Sequence, residues 1–107
     1  MKEEIESKNL SYRNALEPLV ETEVRSQIEK FSSQRVEYLR PEEAIAFALN
    51  RLPPLYATTA EGWDEQQYRA IAQYDSHIKT AARWGIEVVQ RNPYRMGTPL
   101  ENRCQVS

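Results

Sequence analysis

Apolar residues recur along the first third of the chain at helical intervals. Tyr12, Ala15, Leu16, Leu19, Val20, Val24, Ile28 and Phe31 fall at i, i+3, i+4 spacing, with Glu21, Glu23, Arg25 and Glu29 between them. This pattern predicts an amphipathic helix with one buried stripe. Asn14 and Glu17 have capping-box spacing, which starts the helix near Asn14 and leaves Pro18 in the first turns, where a missing N–H costs least. The period lapses over residues 32–40, a connector, and resumes at Pro41. Proline suits the first helical position, and Glu42 and Glu43 complement the positive end of the helix dipole. Ala44, Ile45, Ala48, Leu49 and Leu52 form the buried face of this second helix, which runs to about Arg51. Its alanines, with Ala46 beside them, permit close helix–helix approach. Arg40 stands at the cap position, where it cannot accept the hydrogen bond that Ser, Asp or Asn would take, and that mismatch marks it as a functional candidate.

Pro53-Pro54 stops the second helix, since neither residue can donate to a continuing ladder. Thr58-Thr59-Ala60-Glu61 has the capping-box pattern and restarts the chain as helix. The third helix reads from about Thr59 to Gln90, with Trp63, Gln67, Ile71, Tyr74, Ile78, Ala81, Ala82, Gly85, Val88 and Val89 in a seven-residue rhythm. A helix of that length spans about 48 Å. A compact domain of this size has a radius of gyration near 13 Å, hence a diameter of roughly 34 Å. One end of the helix therefore overhangs, and an overhanging apolar seam calls for a partner; a second copy is the simplest, so a homodimer is expected. The expected architecture is all-α: a flexible segment over 1–11, a domain of three main helices over 12–91, and a loose tail over 92–107.

Composition narrows the function classes. The chain has 107 residues, 40% hydrophobic and 28% charged, which fits one domain that is neither disordered nor membrane-embedded. It has no apolar run of about eighteen residues, and its acidic start lacks the apolar core of a signal peptide, so a cytoplasmic location without membrane insertion is expected. Cys104, the single cysteine, excludes an internal disulfide and reads as an incidental surface thiol. A net charge of −2 lacks the basic footprint that a nucleic-acid polymer requires. A transcription accessory role, using Arg69, Lys79, Arg83 and Arg91 along the third helix, is disfavoured on that ground. Arginines nevertheless outnumber lysines ten to four, and arginine offers a planar fork for phosphates and for the guanine O6/N7 edge. The single histidine, His77, and the two aspartates, Asp64 and Asp75, form no nucleophile–base pair or metal-ligand spacing, so neither enzyme activity nor a metal is expected.

The string Ala48-Leu-Asn-Arg-Leu-Pro-Pro-Leu-Tyr56-Ala-Thr-Thr-Ala-Glu-Gly resembles the hallmark of the late-competence ComFB family. Upstream, Asn14-Ala-Leu-Glu17-Pro-Leu-Val20-Glu-Thr-Glu-Val24 is similar to that family's first helix. Bacillus-type members carry clustered, zinc-competent cysteines between the first two helices. Here that connector reads Ser32-Ser-Gln-Arg-Val-Glu-Tyr-Leu-Arg40, without cysteine, which is similar to the cyanobacterial branch. The resemblance implies an α-helical homodimer that binds cyclic di-GMP, and in some members cyclic di-AMP, and relays the signal to a partner protein in competence, pili or cell-size control. It assigns no individual ligand contact.

Chemistry supplies the candidates. A cyclic dinucleotide with two guanines needs arginine for phosphates and base edges, an acid for the guanine N1/N2 donors, and a flat ring for stacking. Arg25, Arg35, Arg40 and Arg51 offer the forks, Arg40 foremost; Glu42 or Glu37 offers the acceptor, and Tyr38 or Tyr56 the ring. Thr58 and Thr59 add hydroxyls at a helix N-terminus. The alternative is a ligand-free dimeric adaptor that binds a partner protein through its exposed helices.

Overall fold

The first helix begins because one side chain satisfies its start. In the computed structural model, which describes residues 11–30 and 39–91, the Asn14 Oδ1 atom accepts the Leu16 N–H at 3.1 Å. The same oxygen also accepts the Leu55 N–H at 3.1 Å, from far along the chain. Ala15, not Asn14, occupies the N-cap, and no capping box with Glu17 forms. Asn14 instead joins the beginning of one helix to the corner that follows another. Around it, β1 (Arg13–Asn14) pairs antiparallel with β2 (Tyr56–Ala57), Arg13 opposite Ala57 and Asn14 opposite Tyr56. The Ala15 N–H donates to Leu55 O at 2.7 Å beside them. This two-residue ladder was not expected from the sequence.

Helix α1 (Leu16–Glu29) buries Leu16, Val20 and Val24, and Pro18 sits in its first turn as expected. Tyr12 does not join that stripe: it precedes the helix, lies 74% exposed, and packs its ring 6.1 Å from that of Tyr56. Helix α2 (Pro41–Leu49) starts at the expected proline. Tight turns from Arg51 N–H to Ala48 O and from Leu52 N–H to Leu49 O carry the chain to the proline corner. Ala44 and Ala48 are fully buried, Ile45, Leu49 and Leu52 are half-buried, and Ala46 faces solvent. Helix α3 (Ala60–Arg91) runs unbroken for 32 residues and forms the spine against which α1 and α2 both pack, as they do against each other. The radius of gyration is 16.6 Å, above the value of about 13 Å for a compact chain of this size, as a single long helix requires.

The seam of α3 drifts from the seven-residue rhythm. Ile71 is 59% exposed, and Ala70 is buried in its place, with Ile86 and Val89 buried further along. On a straight helix a heptad slips by only about 20°, so Ile71 points nearly the same way as Ile78, and its exposure reflects what packs beside that level of α3 rather than a change of face.

The tightest packing is where α2 crosses α3. A Cβ added to Gly85 would press into the carbonyl oxygen of Ala44, with Ala44 C and Ala48 N both 3.3 Å away. These are backbone atoms, so no side chain can yield. The initial segment 1–10, Phe31, the connector bearing Arg35, Glu37 and Tyr38, and the tail with Cys104 lie outside the described residues.

Three substitutions test this packing. Gly85→Ala should gain about 1 kcal/mol of helix propensity yet lose more to overpacking, for a net destabilisation of about 1–3 kcal/mol in urea unfolding. At Gly62 the nearest atom to an added Cβ is Thr59 Oγ1, at 3.0 Å, a side-chain end that can turn. Gly62→Ala should therefore change stability by no more than about 1 kcal/mol. Asn14→Ala strands two buried N–H groups and should cost about 3 kcal/mol or more.

Candidate functional site

The corner between α2 and α3 is held by polar bonds rather than by bulk. Leu55 is its one buried residue, while Pro53, Pro54 and Tyr56 are exposed. Asn14 takes the Leu55 N–H, Gln67 Nε2 donates to Ala15 O at 2.9 Å, and Gln66 Nε2 donates to Tyr56 O at 3.3 Å. The Thr59 hydroxyl oxygen accepts the Gly62 N–H at 2.9 Å and caps α3. The cap is therefore Thr59 with Gly62, one residue later than the Thr58–Glu61 box that the sequence implies. Thr58 is left exposed beside the cap.

Two clefts flank this cap and share the wall Ala57-Thr58-Thr59. The first, about 480 Å³, is completed by Tyr56, Gly62, Glu65, Gln66 and Arg69. The second, about 280 Å³, is completed by Ser11, Arg13, Ala60, Trp63 and Asp64, and the Arg13 guanidinium lies 4.9 Å from the centre of the Trp63 ring. Each contains one arginine, one aromatic ring and one carboxylate. Among the described residues no protein acceptor takes the N–H of Ala60 or Glu61 at the start of α3. A third cleft, about 350 Å³, lies behind the corner between Asn14, Glu17, Asn50, Pro54 and Tyr56. A fourth, about 340 Å³, lies along the C-terminal half of α3, lined by Arg51, Leu52, Ser76, His77, Thr80, Ala81 and Trp84.

The candidates from sequence thus divide. Tyr56, Thr58 and Thr59 come together in one cleft. Arg51 stands in the fourth cleft, its guanidinium 4.2 Å from the centre of the Trp84 ring. Arg25 and Glu42 are brought together across α1 and α2, Nη2 to Oε2 at 3.7 Å, and Arg25 also bonds Glu21 at 3.2 Å. Both side chains are substantially exposed, so the pair adds little stability. Arg40 holds the N-cap of α2 in an extended conformation without a side-chain capping bond, as its residue type dictates. Arg35, Tyr38 and Glu37 lie outside the described residues.

Arg13, Trp63, Asp64 and Glu65, which line these clefts, carry no candidate role in the sequence, and Arg69 enters there only in the disfavoured nucleic-acid row. That row is partly neutralised, since Lys79 pairs with Asp75 at 3.1 Å and Arg83 with Glu87 at 3.4 Å. A signal for the corner was present: Gly62, Glu65, Gln66 and Arg69 fall at i, i+3, i+4, i+7, one face of the helix that begins at the cap.

The fold and its clefts define a class: a three-helix domain with arginine–aromatic clefts gathered around the start of its longest helix. The family model for the late competence development protein ComFB matches residues 13–93, and the chain belongs to that family. No curated protein matches it. The sequence resemblance at the family level thus stands, over more of the chain than the strings that pointed to it.

Thermal melts should separate the two threonines. Thr59→Ala removes the cap and should cost about 1 kcal/mol, whereas Thr58→Ala should leave stability unchanged within about 0.5 kcal/mol.

Proposed function

We propose that the chain is a non-enzymatic receptor for a cyclic dinucleotide, cyclic di-GMP or cyclic di-AMP, that relays a second-messenger signal to a partner protein. The observation that carries this reading is the pair of clefts sharing the Ala57-Thr58-Thr59 wall. The ligand has two bases and two phosphates, and the clefts offer the matching chemistry twice. Arg13 and Arg69 supply forks for phosphate or for the guanine O6/N7 edge, and Trp63 and Tyr56 supply rings. Asp64 and Glu65 supply acceptors for the guanine N1/N2 donors, and the open N–H groups at the start of α3 favour a phosphate between the halves. Family membership supports the reading, as does the resemblance of the cysteine-free connector to the cyanobacterial branch, and that resemblance links the output to competence, pili or cell size. The receptor is a cytoplasmic homodimer in this proposal, and no helix among the described residues is long and apolar enough to cross a membrane.

One observation favours the adaptor as second reading. Tyr68 and Ile71, 75% and 59% exposed, stand one turn apart on α3 as an uncovered apolar pair. A second copy or a partner protein would cover them. Sedimentation of Ile71→Glu should show a shift toward monomer; an unchanged distribution would place any dimer contact elsewhere.

Calorimetry against cyclic di-GMP, cyclic di-AMP and GTP tests the receptor. Arg13→Ala and Arg69→Ala should each weaken cyclic dinucleotide binding by at least about tenfold, the loss of one charge-assisted contact. No heat with any of the three nucleotides would leave the adaptor. Binding that is lost in Arg40→Ala and intact in Arg69→Ala would move the ligand to the α1–α2 edge and reject the corner clefts.

A further inference from the structure

The cleft along the C-terminal half of α3 has a wall of a different kind. The three clefts described at the corner carry Asp64, Glu17 or Glu65 in their linings. This one carries no carboxylate, and its polar groups are the Arg51 guanidinium, the His77 ring and the hydroxyls of Ser76 and Thr80, all on exposed residues. Among the described residues no protein acceptor takes a hydrogen bond from any of the four side chains, and no acid pairs with Arg51. His77 meets only the edge of Tyr74, at 5.8 Å.

Arg51 is nevertheless held. Its guanidinium lies over the Trp84 indole at 4.2 Å, and Phe47 packs edge-on against the same indole at 5.8 Å. Stacking occupies a face of the guanidinium and leaves its in-plane N–H donors available. An arginine fixed in this way has lost side-chain entropy on folding instead of on binding, which favours affinity. Ser76 and Thr80 are four residues apart on α3, so their hydroxyls are neighbours on one face. The volume of about 340 Å³ lies at the small end of the range for organic ligands.

We propose that this cleft binds a phosphate monoester, with its phosphate on Arg51, Ser76, His77 and Thr80 and its organic part against the Trp84 indole. The donor count selects that group. A monoester presents three terminal oxygens and a charge of about −1.5 to −2 at neutral pH. A carboxylate has two oxygens and one charge, and so does each phosphodiester of a cyclic dinucleotide. The site is separate from the corner clefts and does not depend on the receptor reading. The ester has two possible sources, a free small molecule or a phosphorylated side chain of a partner protein.

The test uses the full chain carrying Trp63→Phe, which leaves Trp84 as the one tryptophan of two. Phenyl phosphate, titrated at constant ionic strength, should change Trp84 fluorescence saturably. Arg51→Ala should weaken that response by at least about tenfold, Thr80→Val by about threefold, and Arg51→Lys should restore only part of it. Thr80→Val retains the stacked arginine, so it decides the matter if Arg51→Ala fails to fold. Absence of saturation at millimolar phenyl phosphate overturns the proposal, as does an equal response in both Arg51→Ala and Thr80→Val. Phenylacetate binding as tightly as phenyl phosphate overturns it too. A phosphoserine peptide that binds at least about tenfold more tightly than phenyl phosphate assigns the ester to a partner protein, and weaker binding assigns it to a free molecule. In chains that retain Trp63, loss of cyclic di-GMP binding in Arg51→Ala but not in Arg69→Ala would give this cleft to the dinucleotide, and the separate site would fall.

Discussion

A single carboxamide oxygen fixes the geometry on which the corner depends. Asn14 Oδ1 accepts the N–H of Leu16 and that of Leu55, and Asn14 itself is only 8% exposed. In a buried setting an N–H left without an acceptor costs about 1–3 kcal/mol, so both chain segments are tied to this one atom. The start of α1 and the path of the chain after the two prolines are therefore set together. Tyr56, Thr58 and Thr59 take their places from that path. A corner with one buried apolar residue could not hold its shape by hydrophobic contact alone, and Gln66 and Gln67 of α3 complete the attachment through backbone carbonyls.

The crossing of α2 and α3 relies on contact instead of hydrogen bonds. Ala44 and Ala48 bring the backbone of α2 onto α3 at Gly85, and the short side chains are what allow it. Phe47 and Arg51 then reach Trp84 from the same helix and the turn that follows it. The two regions are different in kind: one is a polar lock, the other a steric one.

Much of this was legible because it depends on local chemistry. Pro41 marks the start of α2, Pro53-Pro54 the corner, and the apolar positions from Trp63 to Val89 the length of α3. Other features depend on partners that periodicity cannot see. Asn14 and Glu17 have the spacing of a capping box, but the oxygen of Asn14 serves a residue in a distant segment, and no local pattern announces that. Thr58 and Thr59 are adjacent and both competent to cap, and the choice rests on where β2 ends. Ile71 fits a heptad, yet what packs against that level of α3 buries Ala70 and leaves Ile71 exposed. Half of the candidate site was legible for the same reason: Tyr56, Thr58 and Thr59 adjoin in sequence. Arg13 and Arg69 reach the corner only through the β1–β2 pairing and one face of α3.

The unbroken course of α3 has a mechanical consequence. Trp63 and Trp84 are separated by 21 positions on one helix, about 32 Å along its axis. At the Trp84 end the rod is seated backbone to backbone, an arrangement that does not slide by small increments. At the Trp63 end it is pinned by side-chain amides. Occupation of either end would therefore alter the outline and charge that the rod presents to its surroundings and leave its internal packing in place. In the receptor proposed above, such a rod would carry its message as a key does, by the shape of its edge.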